Sequence, residues 1–462
     1  MSNNNNRDSS SFRDPSGYIF FKNGQIYRRI NSVYLEKYQQ IKKSGLYSKL
    51  ISNNFLINHT EEEMGVDESG DYLIIRPDKV PFISYPYEWS FSQLRDASLL
   101  TLKILSISLD HGFILKDATP YNIQFVNGNP IFIDTLSFDI WDRKPWVAYR
   151  QFCEMFLAFL CIMNYCHPKM GLIQSNFING IPLEVASSIL PLRSKFNIGV
   201  LAHIFLHSKK ITSTKSSQKQ INREMKFSYR ALKGLCTNLE HTIKKLDGRV
   251  IKSDWVSYYS NNTYSSHDFQ IKQDFLSEIL SELKPEMTWD LGCNIGEFSH
   301  IASKYSNYVL SIDNDHSCIE KIYKDCLDRK ITNILPILMD LTNPTPQLGW
   351  DLSERKSIIS RGSADVVIAF ALIHHLCITH NIPIDFVSKF FKEITNHLII
   401  EFVPKSDPQI QEMLMMREDI FINYTEENFE TEFTKFFSIT KKINLIDTKR
   451  TIYFMTRNNN DK

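Results

Sequence analysis

Residues 290–298 read DLGCNIGEF. A short apolar run, MTWDL at 287–291, leads into them, and the helix-like EFSHIASKY follows at 297–305. Strand, glycine-bearing turn and helix in that order bring backbone close to a ligand at a helix N-terminus. Dinucleotide folds ask for G-x-G-x-x-G, whose third glycine packs helix on strand. The spacing here is D-x-G-x-x-x-G, with Asp290 ahead of Gly292 and Gly296. An acid at the head of the loop suits a ligand carrying an ammonium or sulfonium group better than a diphosphate.

Working outward, strands and helices alternate from about 251 to 457, the signature of a parallel α/β sheet. FLSEILSELKPE (275–286) has helical periodicity. The next strand, YVLSID (308–313), ends in Asp313, 23 residues after Asp290, where an acid takes both hydroxyls of a ribose. ILPILMD ends in Asp340, placed to receive an adenine amino group, with Leu341 after it. ADVVIAF (364–370) and HLIIEF (397–402) read as a fourth and a fifth strand. FFSITKKINLI and RTIYFMTR read as a terminal antiparallel hairpin.

Asp290, Gly292 and Gly296, then Asp313, Asp340 and the post-strand ALIHHL together resemble class I S-adenosylmethionine (SAM)-dependent methyltransferases. The resemblance covers nearly half of the chain. It implies a doubly wound, Rossmann-like sheet and SAM as cofactor, bound around Asp290, Gly292, Cys293, Asn294, Gly296, Asp313, Asp340 and Leu341. In it, Gly292 and Gly296 bring backbone to the methionine part, Asp313 binds the ribose and Asp340 contacts the adenine. The aromatic-rich WVSYYSNNTYSSHDFQIKQDF (255–275) matches a segment that folds over the cofactor, which makes Tyr264, Phe269 and Lys272 lid candidates. Methyl transfer is mostly positioning, because the sulfonium is already an activated donor. A base is needed only where the acceptor must lose a proton. His375 is the first candidate for that role and Glu401 the second, since both follow or end strands on the side where an acceptor lies. The plainer alternative for His374 and His375 is packing and hydrogen bonding within a turn. With His380 they make a poor metal set, because adjacent histidines and a five-residue gap do not share one helix face.

In the N-terminal half, LKDATPYNIQFVNGNPIFIDTLSF (115–138) sets Asp117 and Asn122 in a D-x-x-x-x-N spacing. A hairpin around Asn-Gly-Asn follows and ends in Asp134. Protein and small-molecule kinases have such a catalytic loop, and a later strand in them ends in a metal-binding acid. By that resemblance Asp117 matches the catalytic acid, and Asn122 and Asp134 the metal ligands. The departures are several. Lys116 precedes the acid, Asp134 is followed by Thr-Leu, no glycine-rich loop comes before, and Lys22 is the candidate for the phosphate contact. An α+β, kinase-like domain repurposed for binding is the expectation, with an ordinary polar hairpin as the alternative. The pairing of ILKDATPYNIQF, IFIDTLSF and PWVAYRQFCEMFL with a C-terminal methyltransferase also resembles a two-domain group with bacterial nodulation-associated members.

The bulk numbers bound these readings. The 462 residues exceed one ordinary domain. A hydrophobic share of 43% allows real cores, and a net charge of +1, from 53 basic against 52 acidic residues, supplies no basic field for nucleic acid. The eight cysteines form no C-x-x-C pair, so free thiols in a reducing compartment are expected. The start, MSNNNNRDSSSFRDPSG, has no apolar core of a signal peptide. FCEMFLAFLCIMNYC, from Phe152, carries Glu154 and is too short to span a bilayer. A cytoplasmic protein is expected, with a disordered tail at 1–16, an N-terminal domain at 17–208, linker and helix at 209–250, and the methyltransferase domain at 251–457. The acceptor defaults to a small molecule, and the oligomeric state is not legible. Two rivals stand beside methyl transfer: a scaffold that binds SAM without turnover, and a bifunctional enzyme with an ATP-dependent phosphotransferase half.

Overall fold

The computed structural model describes residues 6–209, 226–249, 251, 266–415 and 418–458. Tyr264, most of the 209–224 linker stretch and the first five residues lie outside them. The chain divides into two compact units, Met1–Val250 with Gln347–Arg355, and Ile251–Pro346 with Lys356–Lys462.

The first unit opens with an antiparallel sheet of β1 (Asn6–Arg7), β2 (Gly17–Lys22), β3 (Gln25–Ile30), β4 (His59–Asp67) and β5 (Gly70–Pro77), in the order β1-β2-β3-β5-β4. Helix Phe91–Asp110 follows, started by Ser90 and Gln93, which cap each other's backbone. β6 (Phe113–Leu115) pairs with β9 (Phe138–Ile140), and β7 (Ile123–Val126) with β8 (Asn129–Phe132). Asn127 and Gly128 both have positive φ, 52° and 73°, which a two-residue hairpin turn of matching twist requires. From Phe152 to Met163 every apolar side chain is buried, so the stretch is a core helix as its composition predicts. Among the described residues no helix is long and apolar enough to cross a membrane.

Three boundaries differ from the sequence reading. The polar composition predicts disorder through residue 16, yet β1 pairs with β2, and Asp8 and Asp14 accept the Ser10 and Ser16 amides at 2.9 and 2.8 Å. Short acids that close their own turns order a segment with little apolar content. Helix Tyr229–Lys244, expected with the linker, belongs to the first unit. It buries Leu232, Leu239 and Ile243, and Lys233 Nζ reaches Asp110 Oδ1 at 2.8 Å. Gln347–Arg355, inside the span expected for the methyltransferase domain, also belongs to the first unit. There Arg13 binds both oxygens of Glu354 at 2.7 and 2.9 Å, and the Arg355 guanidinium lies 4.1 Å over the Tyr121 ring.

The second unit is built on β10 (Met287–Leu291), β11 (Tyr308–Asp313), β12 (Ile334–Leu338), β13 (Ala364–Ala369), β14 (Thr395–Phe402), β15 (Phe437–Asn444) and β16 (Thr451–Arg457). Their order is β12-β11-β10-β13-β14-β16-β15. The first five are parallel; β16 runs antiparallel to both β14 and β15, the expected terminal hairpin. β11, β12 and β13 are almost wholly buried, as near-continuous apolar runs are when helices cover both faces of a parallel sheet. Strand order reverses between β10 and β13, the point at which doubly wound sheets open a crevice at their carboxyl ends.

Candidate active site

The glycine loop is shaped by three left-handed residues in alternation: Gly292 at φ 71°, Asn294 at 49° and Gly296 at 86°. A Cβ on Gly292 would lie 3.3 Å from Leu372 Cδ1, and one on Gly296 3.0 Å from Ile322 Cγ1, so lack of a side chain matters at both. The loop is tied down by its neighbour strand. Gly292 and Cys293 donate their amides to the Ile312 carbonyl at 2.9 and 3.1 Å, and the Asn294 amide donates to Asp313 Oδ2 at 2.8 Å.

At the switch point lies a cavity of about 310 Å³. Asp290, Gly292, Asn294, Asp313, Asp340 and Leu341 line it, which brings together six of the eight expected cofactor residues. Cys293 and Gly296 do not line it. The thiol of Cys293 is packed into the apolar core, and Gly296 starts the following helix. Asp290 Oδ2 accepts from Ser299 Oγ at 2.6 Å, Asp313 Oδ1 from the Asp315 amide at 2.8 Å, and Asp340 Oδ1 from the Thr342 amide and hydroxyl at 2.8 and 2.7 Å. Burial pushes the Asp290 carboxyl up to about 7 and the Asp313 carboxyl up to about 6, against hydrogen bonds that pull each down.

The other wall comes from the turn after β13. Phe370, Ala371, Leu372, His375 and His380 line the cavity. Desolvation, with His380 nearby, pushes the His375 imidazole down to about 4, so it is neutral near pH 7. His374 is fully buried, 4.2 Å from the His375 ring, and among the described residues neither ring nitrogen has a hydrogen-bond partner. Its pKa is held well below the ordinary histidine value by burial. His374 thus packs within the turn without the hydrogen bonds that the plainer expectation gave it, whereas His375 lines the cavity.

Glu401 is placed differently from the expectation that pairs it with His375. It does not line the cavity, and its carboxylate is fully buried. Oε2 accepts from Lys272 Nζ at 2.9 Å and from the Ala371 amide at 2.8 Å, while the Arg450 guanidinium stands 3.8 Å from Oε1. Lys272, a lid candidate, does line the cavity, its ammonium 4.7 Å over the Phe370 ring and 5.3 Å over that of Phe298. Phe269 packs against Phe298 with ring centroids 5.6 Å apart. The sequence offered no sign of Arg450 and Asp407, a second fully buried ion pair at 2.8 Å, or of the strained Ala371 at φ 47°.

In the first unit, Asp117, Asn122 and Asp134 are brought into one polar cluster. Asn122 Nδ2 donates to Asp117 Oδ2 at 3.2 Å and to Ser137 Oγ at 3.1 Å, and Ser137 in turn donates to Asp134. Gln151 holds the other Asp117 oxygen at 2.6 Å. The Asp134 carboxylate is paired with the guanidinium of Arg28 on β3. Burial raises the Asp117 pKa, and the Asp134 charge adds to it. At Asp134 burial acts in the same direction but is outweighed by Arg28 and Ser137. Lys22 is exposed at the end of β2, and Lys116 points to Ser16 at 3.1 Å.

No protein-family model matches the chain. Among solved structures it is similar to the N-methyltransferase NodS from Bradyrhizobium japonicum WM9, at 12% identity over 42% of this chain and 98% of that one, with a TM-score of 0.30. It is also similar to magnesium protoporphyrin IX methyltransferase (ChlM) from Synechocystis PCC 6803, at 16% identity over 44% of this chain and 92% of that one, with a TM-score of 0.32. Among curated proteins it is 33% identical over 464 residues to the nodulation protein NoeA of Rhizobium meliloti (strain 1021), across 98% of this chain and 96% of that one. That alignment runs through both units of the fold, and the chain belongs to the NoeA family.

Proposed function

We propose that the second unit binds SAM and transfers its methyl group to a small-molecule acceptor. The observation that carries this reading is the convergence of Asp290, Asp313 and Asp340 on one cavity at the switch point. Asp290 faces the cationic methionine part, Asp313 takes the ribose hydroxyls and Asp340 the adenine edge. Held there, SAM would supply an activated methyl group to a nucleophile of the acceptor, with S-adenosylhomocysteine as the other product. His375, neutral and facing the cavity, receives the acceptor's proton where one must leave. Glu401, sequestered by Lys272, acts by position rather than on that proton.

Binding of S-adenosylhomocysteine by calorimetry between pH 5 and 7 tests the reading. Both carboxyls have folded-state pKa values above the ordinary 3.8, so without ligand the unit loses stability from this source as pH rises from about 4 to about 7. A ligand that prefers the carboxylates binds more tightly over the same rise and releases protons near pH 6. Flat affinity with no proton release would remove Asp290 and Asp313 from the cofactor site, and absence of binding would sink the proposal.

A second proposal concerns the first unit, read as a kinase-like fold that serves recognition rather than phosphoryl transfer. It is supported by the Asp117–Asn122–Ser137–Asp134 chain and by Arg28 on the carboxylate that such a fold gives to a metal. The expected result is that Mg-ATP shifts the melting of wild type and of Asp134→Asn equally little. Binding by wild type that Asp134→Asn abolishes would favour a working phosphotransferase instead.

A further inference from the structure

Ala371 is not glycine, yet its φ is 47°, a region that L residues avoid. It stands at the turn after β13, in the cavity wall. The residues on either side press on the glycine loop and its helix: the Phe370 ring meets that of Phe298 edge-on at 4.6 Å, and Leu372 lies against Gly292. The Ala371 amide has a specific acceptor, Glu401 Oε2, at 2.8 Å. The same oxygen is gripped by Lys272, and both side chains are excluded from solvent.

We propose that Glu401, clamped by Lys272, is a positioning residue that holds Ala371 in its left-handed turn and thereby sets the shape of the cofactor cavity. A buried carboxylate is costly to keep, and a strained turn persists only where its surroundings fix it. Each feature accounts for the other here. The Lys272 Nζ–Glu401 Oε2 hydrogen bond also joins the helix Ser266–Leu283, which carries Lys272, to the far side of the cavity.

The inference rests on the SAM-binding reading and is tested with S-adenosylhomocysteine. Lys272→Met with Glu401→Leu replaces the pair by apolar groups of similar volume, a change that ordinarily leaves folding intact. The left-handed conformation is then unsupported, and binding falls about tenfold. Adding Ala371→Gly, which removes the conformational penalty, restores most of it. A triple variant as weak as the double would mean that Lys272 acts by touching ligand, and a double variant that binds like wild type would mean that the turn needs no hold. Either overturns the inference. Hydrogen exchange across 370–373 reads the turn without ligand. Protection in wild type that is lost in the double variant supports the inference, and unchanged protection refutes it even if the protein binds no S-adenosylhomocysteine at all. Should the double variant fail to fold, Ala371→Val in the wild-type background puts the question another way. A β-branched residue resists that φ, so unchanged protection and affinity would again refute the hold.

Discussion

Lys272→Met alone is expected to destabilise the second unit by about 3–5 kcal/mol, because it leaves a buried carboxylate without its partner. For a unit of roughly 200 residues that is a fall in melting temperature of about 6–20 °C. The charges at stake are Lys272 and Arg450 against Glu401 and Asp407, all at most 2% exposed. Loss of the lysine removes a positive charge from beside Glu401 and Asp268, both fully buried. Arg450 is shared between Asp407 and Glu401, its guanidinium 2.8 Å from the former and 3.8 Å from the latter. Glu401→Leu in the same chain removes the stranded charge and is expected to recover most of the loss. Thermal denaturation of the two variants checks both statements. A single variant that melts like wild type would mean that Glu401 takes up a proton at little cost, and the pair would then not be an ionic one.

That buried network also marks where sequence reading stops. The five parallel strands were legible because burial on both faces leaves apolar runs that end abruptly, and the acids at 290, 313 and 340 stand where those runs end. Glu401 ends a run too, so it read as another cavity residue. On a strand buried on both sides, alternation does not say which face a polar residue takes, and Glu401 turned to a lysine 129 positions away. Arg450 stands just before β16 and looks like a surface cation until its carboxylate partner is placed. The helix at 229–244 announced an apolar face through Leu232, Leu239 and Ile243, but a periodic stripe does not name what covers it. Gln347–Arg355 was the least legible segment. Its assignment to the first unit depends on Arg13 and Tyr121, more than 200 residues upstream, and no local pattern encodes a partner at that distance.

Asp313→Ala is expected to weaken the binding of SAM and S-adenosylhomocysteine by roughly ten- to a hundredfold, the worth of a hydrogen-bonded carboxylate at about 1.5–3 kcal/mol. Two losses contribute, and they are separable. In the proposed reading Asp313 supplies the acceptor for the ribose hydroxyls, and it also holds the glycine loop through the Asn294 amide at 2.8 Å. Asp313→Asn keeps one carbonyl oxygen for that amide while giving up charge. If the loop contact dominates, the asparagine variant binds nearly as wild type does; if the ribose contact dominates, both variants are weak. Adenosine, which carries the ribose but no methionine part, should lose affinity to the same extent as SAM. Were adenosine spared while SAM suffered, the carboxylate would be acting on the cationic end of the cofactor, and the roles of Asp290 and Asp313 would have to be exchanged.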